Sequence, residues 1–310
     1  NTKYKSFDSC RDYIESIIED SINLRMISDA PLGAFLSGGI DSSLVASIMQ
    51  KNSTKKIQTF SIGFNEKKLN EAVFAKQISN HLGTEHTELY ITKSDLLKTL
   101  PLIQDIYDEP FADSSQIPTY FVSKLAKENV KVVLSGDGGD EIFGGYNRYQ
   151  FIQKNWKLIS SIPLDLRKII YQIYDKIPLF LLDFIINTLL RKKIYNVEGT
   201  LNKVFKIIKS NNINEAYSYL ISIQSNSNKI VKNIDNPKID ILNSCDKFSN
   251  YHFSELMMIE DTKNYLPNDI LTKIDRAAMS VSLETRIPFL DHKIIEYAWS
   301  LPLNYKINNE

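Results

Sequence analysis

The chain has 310 residues, enough for one large domain or two small ones. Apolar residues make up 43% and charged residues 24%, and the two signs cancel to zero net charge. That composition excludes a disordered polyelectrolyte and gives no basic footprint for nucleic acid or for an anionic membrane surface. The two cysteines, Cys10 and Cys245, lie in no Cys-x-x-Cys or Cys/His cluster, which argues against a disulfide scaffold and structural zinc and fits a reducing cytoplasm.

Cys10, Tyr13, Ile14, Ile17, Ile18 and Ile22 recur at helical spacing, with Ser9-x-x-Asp12 as a capping pattern. Leu32 to Leu36 is a short apolar run that predicts a buried strand. Ser37-Gly38-Gly39-Ile40-Asp41-Ser42-Ser43 follows, and Leu44, Val45, Ile48 and Met49 then fall on one face of a helix. Ile57 to Gly63 alternates like a strand. Phe74, Ile78 and Leu82 form a helical stripe that stops at Gly83, and Thr84 to Ile91 reads as the next strand. A helix from Ser94 to Tyr107, interrupted near Pro101, leads through the loop Asp108 to Ser115 into a helix carrying Ile117, Tyr120, Phe121 and Leu125. Val130 to Leu134 is a strand ending in a second glycine loop.

Strands alternating with helices over residues 1–150 predict an α/β fold, a parallel sheet with helices on both faces. After Tyr146 the strand signals fade, and residues 151–310 read as a mainly helical part. Ser222 to Asn250, rich in Asn and Ser, reads as a connection. Ile177 to Leu190 is the most apolar stretch, but it contains Pro178 and Asp183 and is shorter than the ~20 residues a membrane span needs. It predicts a buried helix, with a membrane-lying helix as the lesser alternative.

A strand, a glycine turn and a helix start are the local parts of a phosphate site. Gly38 and Gly39 let the backbone turn and approach an anion, and the amides of the new helix face negative charge. Ser37, Ser42 and Ser43 add hydroxyls, and Asp41 beside phosphate makes sense as a Mg²⁺ ligand. The loop is no Walker A motif, because no Lys stands between Ser37 and Gln50, and its glycine spacing is not the dinucleotide one.

The second loop, Ser135-Gly136-Asp137-Gly138-Gly139-Asp140-Glu141, crowds carboxylates in a way that asks for a cation. Asp140 with Asp41 supplies the carboxylate pair of a Mg²⁺-nucleotide site. The third stretch runs from Tyr265 to His292. Its Lys273 is the candidate cation for a phosphate, with Arg276 one turn on, while Arg286 between Glu284 and Asp291 reads as part of a structural ion-pair network. His81, His86, His252 and His292 show no metal-ligand spacing.

In this order the three stretches resemble the synthetase domain of glutamine-dependent asparagine synthetases. They are Ser-Gly-Gly-x-Asp-Ser-Ser, then Ser-Gly-Asp-Gly-x-Asp-Glu with Gly-Gly-Tyr, then Leu-Pro-x-Asp-x-Leu-x-Lys-x-Asp-Arg with Arg-x-Pro-Phe-Leu-Asp. The resemblance covers most of residues 8–149 and 251–302 and is weak between 150 and 250. It implies a pyrophosphate-loop ATPase fold (adenine nucleotide alpha hydrolase-like) using ATP and Mg²⁺. It implies Asp41 and Asp140 as metal ligands, and Leu36, Ser37, Gly38, Gly39, Asp41, Ser42, Ser43, Ile62, Ser135 and Gly136 around the nucleotide. Lys273 would stabilise charge during adenylation. Asp137, where the family often has Glu, would be the base for ammonia.

The implied reaction is amidation of a carboxylate, the side chain of aspartate, in the cytoplasm, with a homodimer allowed. Complete members begin with a catalytic cysteine on a glutaminase domain. This chain begins Asn1-Thr2-Lys3, so the resemblance implies a synthetase segment whose glutaminase is fused in the longer chain or separate. Another carboxylate as acceptor, a sugar acid of a surface polysaccharide or a peptide precursor, stays open. So does a non-catalytic nucleotide-binding module. A pyrophosphate-loop tRNA-modifying enzyme is disfavoured, since paired cysteines and a basic surface are missing.

Overall fold

The computed structural model describes residues 6–66, 70–178, 180–182, 197–222 and 251–307. By proximity the chain falls into two units, Asn1–Gly145 with Asp261–Glu310, and Tyr146–Glu260.

The first unit is built on five strands, β1 Leu32–Phe35, β2 Gln58–Phe64, β3 Glu85–Ile91, β4 Val132–Leu134 and β5 Glu284–Arg286. They lie in the order β3-β2-β1-β4-β5, and every pairing is parallel. β1 is central, with Ala34 beside Thr59 on one side and beside Leu134 on the other. Four strands follow the sequence pattern to within two residues. The fifth, Glu-Thr-Arg, comes from the far end of the chain and pairs Leu134 with Arg286.

Alternation along the strands sends side chains into two apolar layers. On one face Ala34, Leu36 and Leu134 meet Ile18 and Ile22 of α1 (Phe7–Met26), Val45 and Met49 of α2 (Ile40–Lys51), Ala75 of α3 (Ala72–Leu82), and Ile294 of the His292–Ser300 helix. The other face, with Phe60 and Val133, meets Leu125 and Ala126 of α5 (Gln116–Lys127) and Ala278 of the Thr272–Met279 helix. Each fully buried Val, Leu, Ile, Met or Phe side chain among these contributes about 1.5–3 kcal/mol. Both faces are covered, as a parallel sheet requires.

Several local expectations change. The cap of α1 is Ser6, which accepts from the Ser9 amide at 3.3 Å, so the helix starts before the Ser9-x-x-Asp12 pattern. α4 (Lys93–Tyr107) runs unbroken through Pro101. Pro101 is exposed, so losing one amide donor on the solvent side does not stop the helix. Arg286 pairs with Glu284 at 2.7 Å and donates to the carbonyls of Arg25 and Ile27, while Asp291 takes Arg25 at 3.1 Å. Asp291 is thereby divided between that ion pair and capping the His292–Ser300 helix.

The second unit, among the described residues, is helical. Its helices include Asn147–Ser160, Leu164–Lys176, Val197–Lys209, Ile213–Ile221 and Phe253–Glu260. The buried Arg167 guanidinium ties two of them, donating to the carbonyls of Ile162 at 3.0 Å and Ser210 at 2.8 Å. Tyr174 stacks on Phe205 at 4.0 Å. Of the apolar stretch expected to be a buried helix, Phe180 and Leu181 are 71% and 41% exposed. Residues 183–190 lie outside the described residues, as do Arg191 to Lys193 and nearly all of the Ser222 to Asn250 connection. No helix among the described residues is long and apolar enough to cross a membrane.

Candidate active site

Strand order reverses between β1 and β4: β1 leads outward to β2 and β3, and β4 lies on its other side. In open parallel sheets the crevice at the carboxyl ends of such a pair is where ligands bind. Both glycine loops leave the sheet there, Ser37 to Gly39 after β1 and Ser135 to Gly138 after β4.

Gly38 has a φ of +87°, and a Cβ there would lie 2.7 Å from the Phe74 Cβ. Only glycine fits both the left-handed backbone and the neighbour. Gly39 caps α2 without a side chain, so no cap oxygen occupies the amides of the first turn. The serines hold the loop in shape. Ser37 N–H donates to Ser42 Oγ at 3.2 Å, the two hydroxyls lie 3.0 Å apart, and Ser43 Oγ donates to the Gly39 carbonyl at 2.5 Å.

The second loop rests directly on the first. A Cβ on Gly136 would stand 2.6 Å from the Ser42 amide nitrogen, and one on Gly139 would stand 2.6 Å from an oxygen of Asp41. Asp41 therefore lies against the start of α6 (Gly139–Phe143), next to Asp140. Gly136→Ala should force the two loops apart, because the obstacle is backbone. It should cost about 1–3 kcal/mol and lower nucleotide affinity at least about tenfold, read by thermal melting and calorimetry.

The carboxylates here are electrostatically strained. Burial, then the charges of Asp140, Glu141 and Asp137, push the Asp41 carboxyl up to about 6. Burial also raises Asp137, against the pull of the Ser135 hydroxyl, which donates to it, and of Lys273's positive charge. Asp41, Asp140 and their neighbours thus fit a divalent cation, which would offset the repulsion. No group of three His, Cys, Asp or Glu among the described residues has metal-holding geometry. Mg²⁺ needs no such cage, since one or two carboxylates plus phosphate oxygens and water suffice.

Lys273 enters from the third stretch, in the first turn of the Thr272–Met279 helix. An eleven-residue π-helix, Asp261–Leu271, precedes it, a wide-turned form that often marks functional segments. The Lys273 side chain is only 12% exposed, and its ammonium lies 2.7 Å from Asp113. Its positive charge is felt by Asp137 of the second glycine loop. Arg276, by contrast, pairs with the exposed Asp108 at 2.7 Å and lines a separate cavity of about 470 Å³ with Leu102, Ile106 and Met279.

The structure thus brings together Ser37, Gly38, Gly39, Asp41, Ser42, Ser43, Ser135, Gly136, Asp137 and Asp140, with the charge of Lys273 felt by Asp137. Leu36 sends its side chain into the core and could offer the site backbone alone. Ile62 lies near the carboxyl end of β2, half-buried. His86 is structural, its ring bridging the hydroxyls of Thr59 at 2.9 Å and Ser61 at 3.1 Å.

The asparagine synthase family model matches residues 13–310. The chain belongs to that family. It is 34% identical over 302 residues to "Asparagine synthetase [glutamine-hydrolyzing] 1" of Bacillus subtilis, covering 96% of this chain and 44% of that protein. A "Putative asparagine synthetase [glutamine-hydrolyzing] 2" of Methanocaldococcus jannaschii is 43% identical over 155 residues, 48% of this chain and 30% of its own length. A putative asparagine synthetase of Mycobacterium bovis is 29% identical over 303 residues, 96% of this chain and 43% of its own. The chain thus spans less than half the length of these relatives.

The loop between α4 and α5 carries no catalytic motif in the sequence, yet it reaches the site. Asp113 holds Lys273, and Tyr107 Oη donates to the Lys273 carbonyl at 3.1 Å. The one local signal was Asp113 two residues before Ser115, a turn-forming pair in which Asp113 accepts the Ser115 amide at 2.8 Å.

Proposed function

We propose that this chain is the synthetase part of an ATP-dependent amide ligase. It joins the carboxylate of a small substrate, the side chain of aspartate, to AMP and then to ammonia, giving asparagine, AMP and pyrophosphate. The observation that carries this reading is the meeting of two glycine loops at the β1/β4 switch point, with Lys273 acting on the second of them.

The substrate carboxylate attacks the α-phosphorus of ATP, and the bond to the β-phosphate breaks. Ser37 to Ser43, with the amides of the first turn of α2, would receive the departing pyrophosphate. Asp41 and Asp140 would hold Mg²⁺, whose charge offsets that of the phosphates. Lys273 would stabilise the charge that grows on the α-phosphoryl oxygens. Asp137, raised by burial, suits a base that takes a proton as ammonia attacks the acyl-adenylate. Ammonia would come from glutamine hydrolysed on a glutaminase domain of the same or a separate polypeptide. The relatives' printed names support this, as does their length beyond the matched part.

The test is a pyrophosphate-release screen with Mg-ATP, ammonium and a panel of carboxylates. L-Aspartate should exceed every sugar acid and peptide carboxylate by at least about tenfold in kcat/KM. A sugar acid or peptide leading the panel would move the acceptor assignment and keep the ligase. Failure to bind Mg-ATP in calorimetry would replace the ligase by a non-catalytic module.

A further inference from the structure

We propose that Asp113 is the positioning residue for Lys273. Its carboxylate fixes the ammonium before substrate arrives, in the orientation from which the lysine acts. The inference rests on the reading above, in which Lys273 serves the phosphoryl chemistry.

Lysine is a flexible four-carbon stem ending in a point charge, so an unheld Lys273 would sample many rotamers. Electrostatic stabilisation works best when the charge is already in place. Three observations show that this lysine is held. Its ammonium meets Asp113 Oδ2 at 2.7 Å with both side chains mostly buried, 12% and 16% exposed. The other oxygen, Oδ1, accepts the Ser115 amide and hydroxyl, each at 2.8 Å, so the carboxylate cannot swing with the lysine. The last residue of α4 also fastens the main chain of Lys273, because Tyr107 donates to its carbonyl while its ring stacks on Phe111 of the loop at 4.7 Å. Gln116 closes the loop by donating to the Phe111 carbonyl at 3.0 Å.

The pair is more buried than several other ion pairs of the first unit, although Arg25–Asp291 is also largely covered. Lys76–Glu88 and Lys51–Glu19 have lysines 61% exposed, and Arg276–Asp108, one turn along the same helix, is 49% and 70% exposed. Exposed pairs of that kind fix little. Burial opposes the charge on Asp113, yet the hydrogen bond and charge of Lys273, with the Ser115 donors, hold its carboxyl down at about 2. Asp113 is therefore ionised wherever the enzyme would work, and its grip on the ammonium does not titrate away.

Asp113→Asn keeps an oxygen for Ser115 and removes the charge that grips Lys273. In the full polypeptide, with the best carboxylate of the panel, it should lower kcat for pyrophosphate release about tenfold or more and shift the KM for ATP by less than about threefold. Asp113→Glu, which restores the charge one methylene off, should recover part of that loss, and it serves alone if the Asn variant fails to fold. In a Lys273→Ala background, Asp113→Asn should change the residual rate by less than about twofold, because its effect runs through the lysine. A merely structural role would lower both backgrounds alike.

A second readout needs no turnover. Acetylation of Lys273 by N-acetoxysuccinimide, followed by mass spectrometry, should be about fivefold or more faster in Asp113→Asn, with the exposed Lys124 unchanged. Equal losses in both backgrounds, an unchanged kcat, or unchanged labelling of Lys273 would overturn the proposal. If Lys273→Ala itself turns over normally, the proposed function fails. If it is dead and Asp113→Asn is normal, only the positioning role fails.

Discussion

Lys273→Ala should lower pyrophosphate release by about 10²–10³-fold while the affinity for ATP stays within about threefold. The size follows from removing a preorganised cation from a site walled by carboxylates. Asp41, Asp137, Asp140 and Glu141 all repel a phosphate, and Asp41 already feels the other three. The glycine loop and the amides of α2 remain to bind the nucleotide, so binding and chemistry separate. Lys273→Arg keeps the charge with a different shape, and partial activity there would confirm that charge is what matters. The alanine variant also strands Asp113, whose carboxyl is held at about 2 chiefly against burial and by Lys273. A depressed carboxyl adds stability above its unfolded value near 4 and loses it as pH falls toward 2. Lys273→Ala should therefore be less stable by on the order of 1–2 kcal/mol at pH 7, after allowing for partial exposure, and equal to the parent near pH 2. Denaturant melts at the two pH values measure this. Unchanged turnover would take Lys273 out of the mechanism.

The glycine loops are legible in the sequence because all of their physics is local. Each is strand, glycine and helix within about a dozen residues, and the β1/β4 switch point follows once those strands are adjacent. What the sequence hides depends on pairings across the chain. β5 is three residues, Glu284 to Arg286, with no apolar alternation, and it becomes a strand only because the edge of β4 offers it a ladder. Asp113 and Lys273 stand 160 positions apart, and neither carries a local mark of the other. The π-helix has no periodicity that separates it from an ordinary helix, and Pro101 shows that a breaker on a solvent face need not break. Strand signals fade after Tyr146, and the second unit runs from Tyr146 to Glu260. The return at Asp261 shows in sequence only through the motif that ends in Lys273.

Asp41→Asn should abolish turnover and, in the metal-free protein, raise stability. Both halves come from one fact: the Asp41 carboxylate is held where it is not comfortable. Burial and the neighbouring Asp140, Glu141 and Asp137 lift its carboxyl from 3.8 to about 6. A carboxyl raised in the folded state favours folding while protonated, below its unfolded value, and that advantage is lost as pH rises from about 4 through about 6. At pH 8 the folded protein therefore carries the full penalty of the charge, on the order of 1–3 kcal/mol once partial exposure is allowed for. Asparagine removes the charge and keeps the shape. Melts in chelator should show the variant more stable by that amount at pH 8 and level with the parent at pH 4. Mg²⁺ with nucleotide should reverse the order at pH 8, because the parent alone gains a cation to offset its repulsion. A parent that is the more stable of the two in chelator would mean that Asp41 has a partner other than a metal. Function here is set against stability: four carboxylates at the mouth of a phosphate loop make little sense for the fold by itself, and good sense if a cation is to be called in with the substrate.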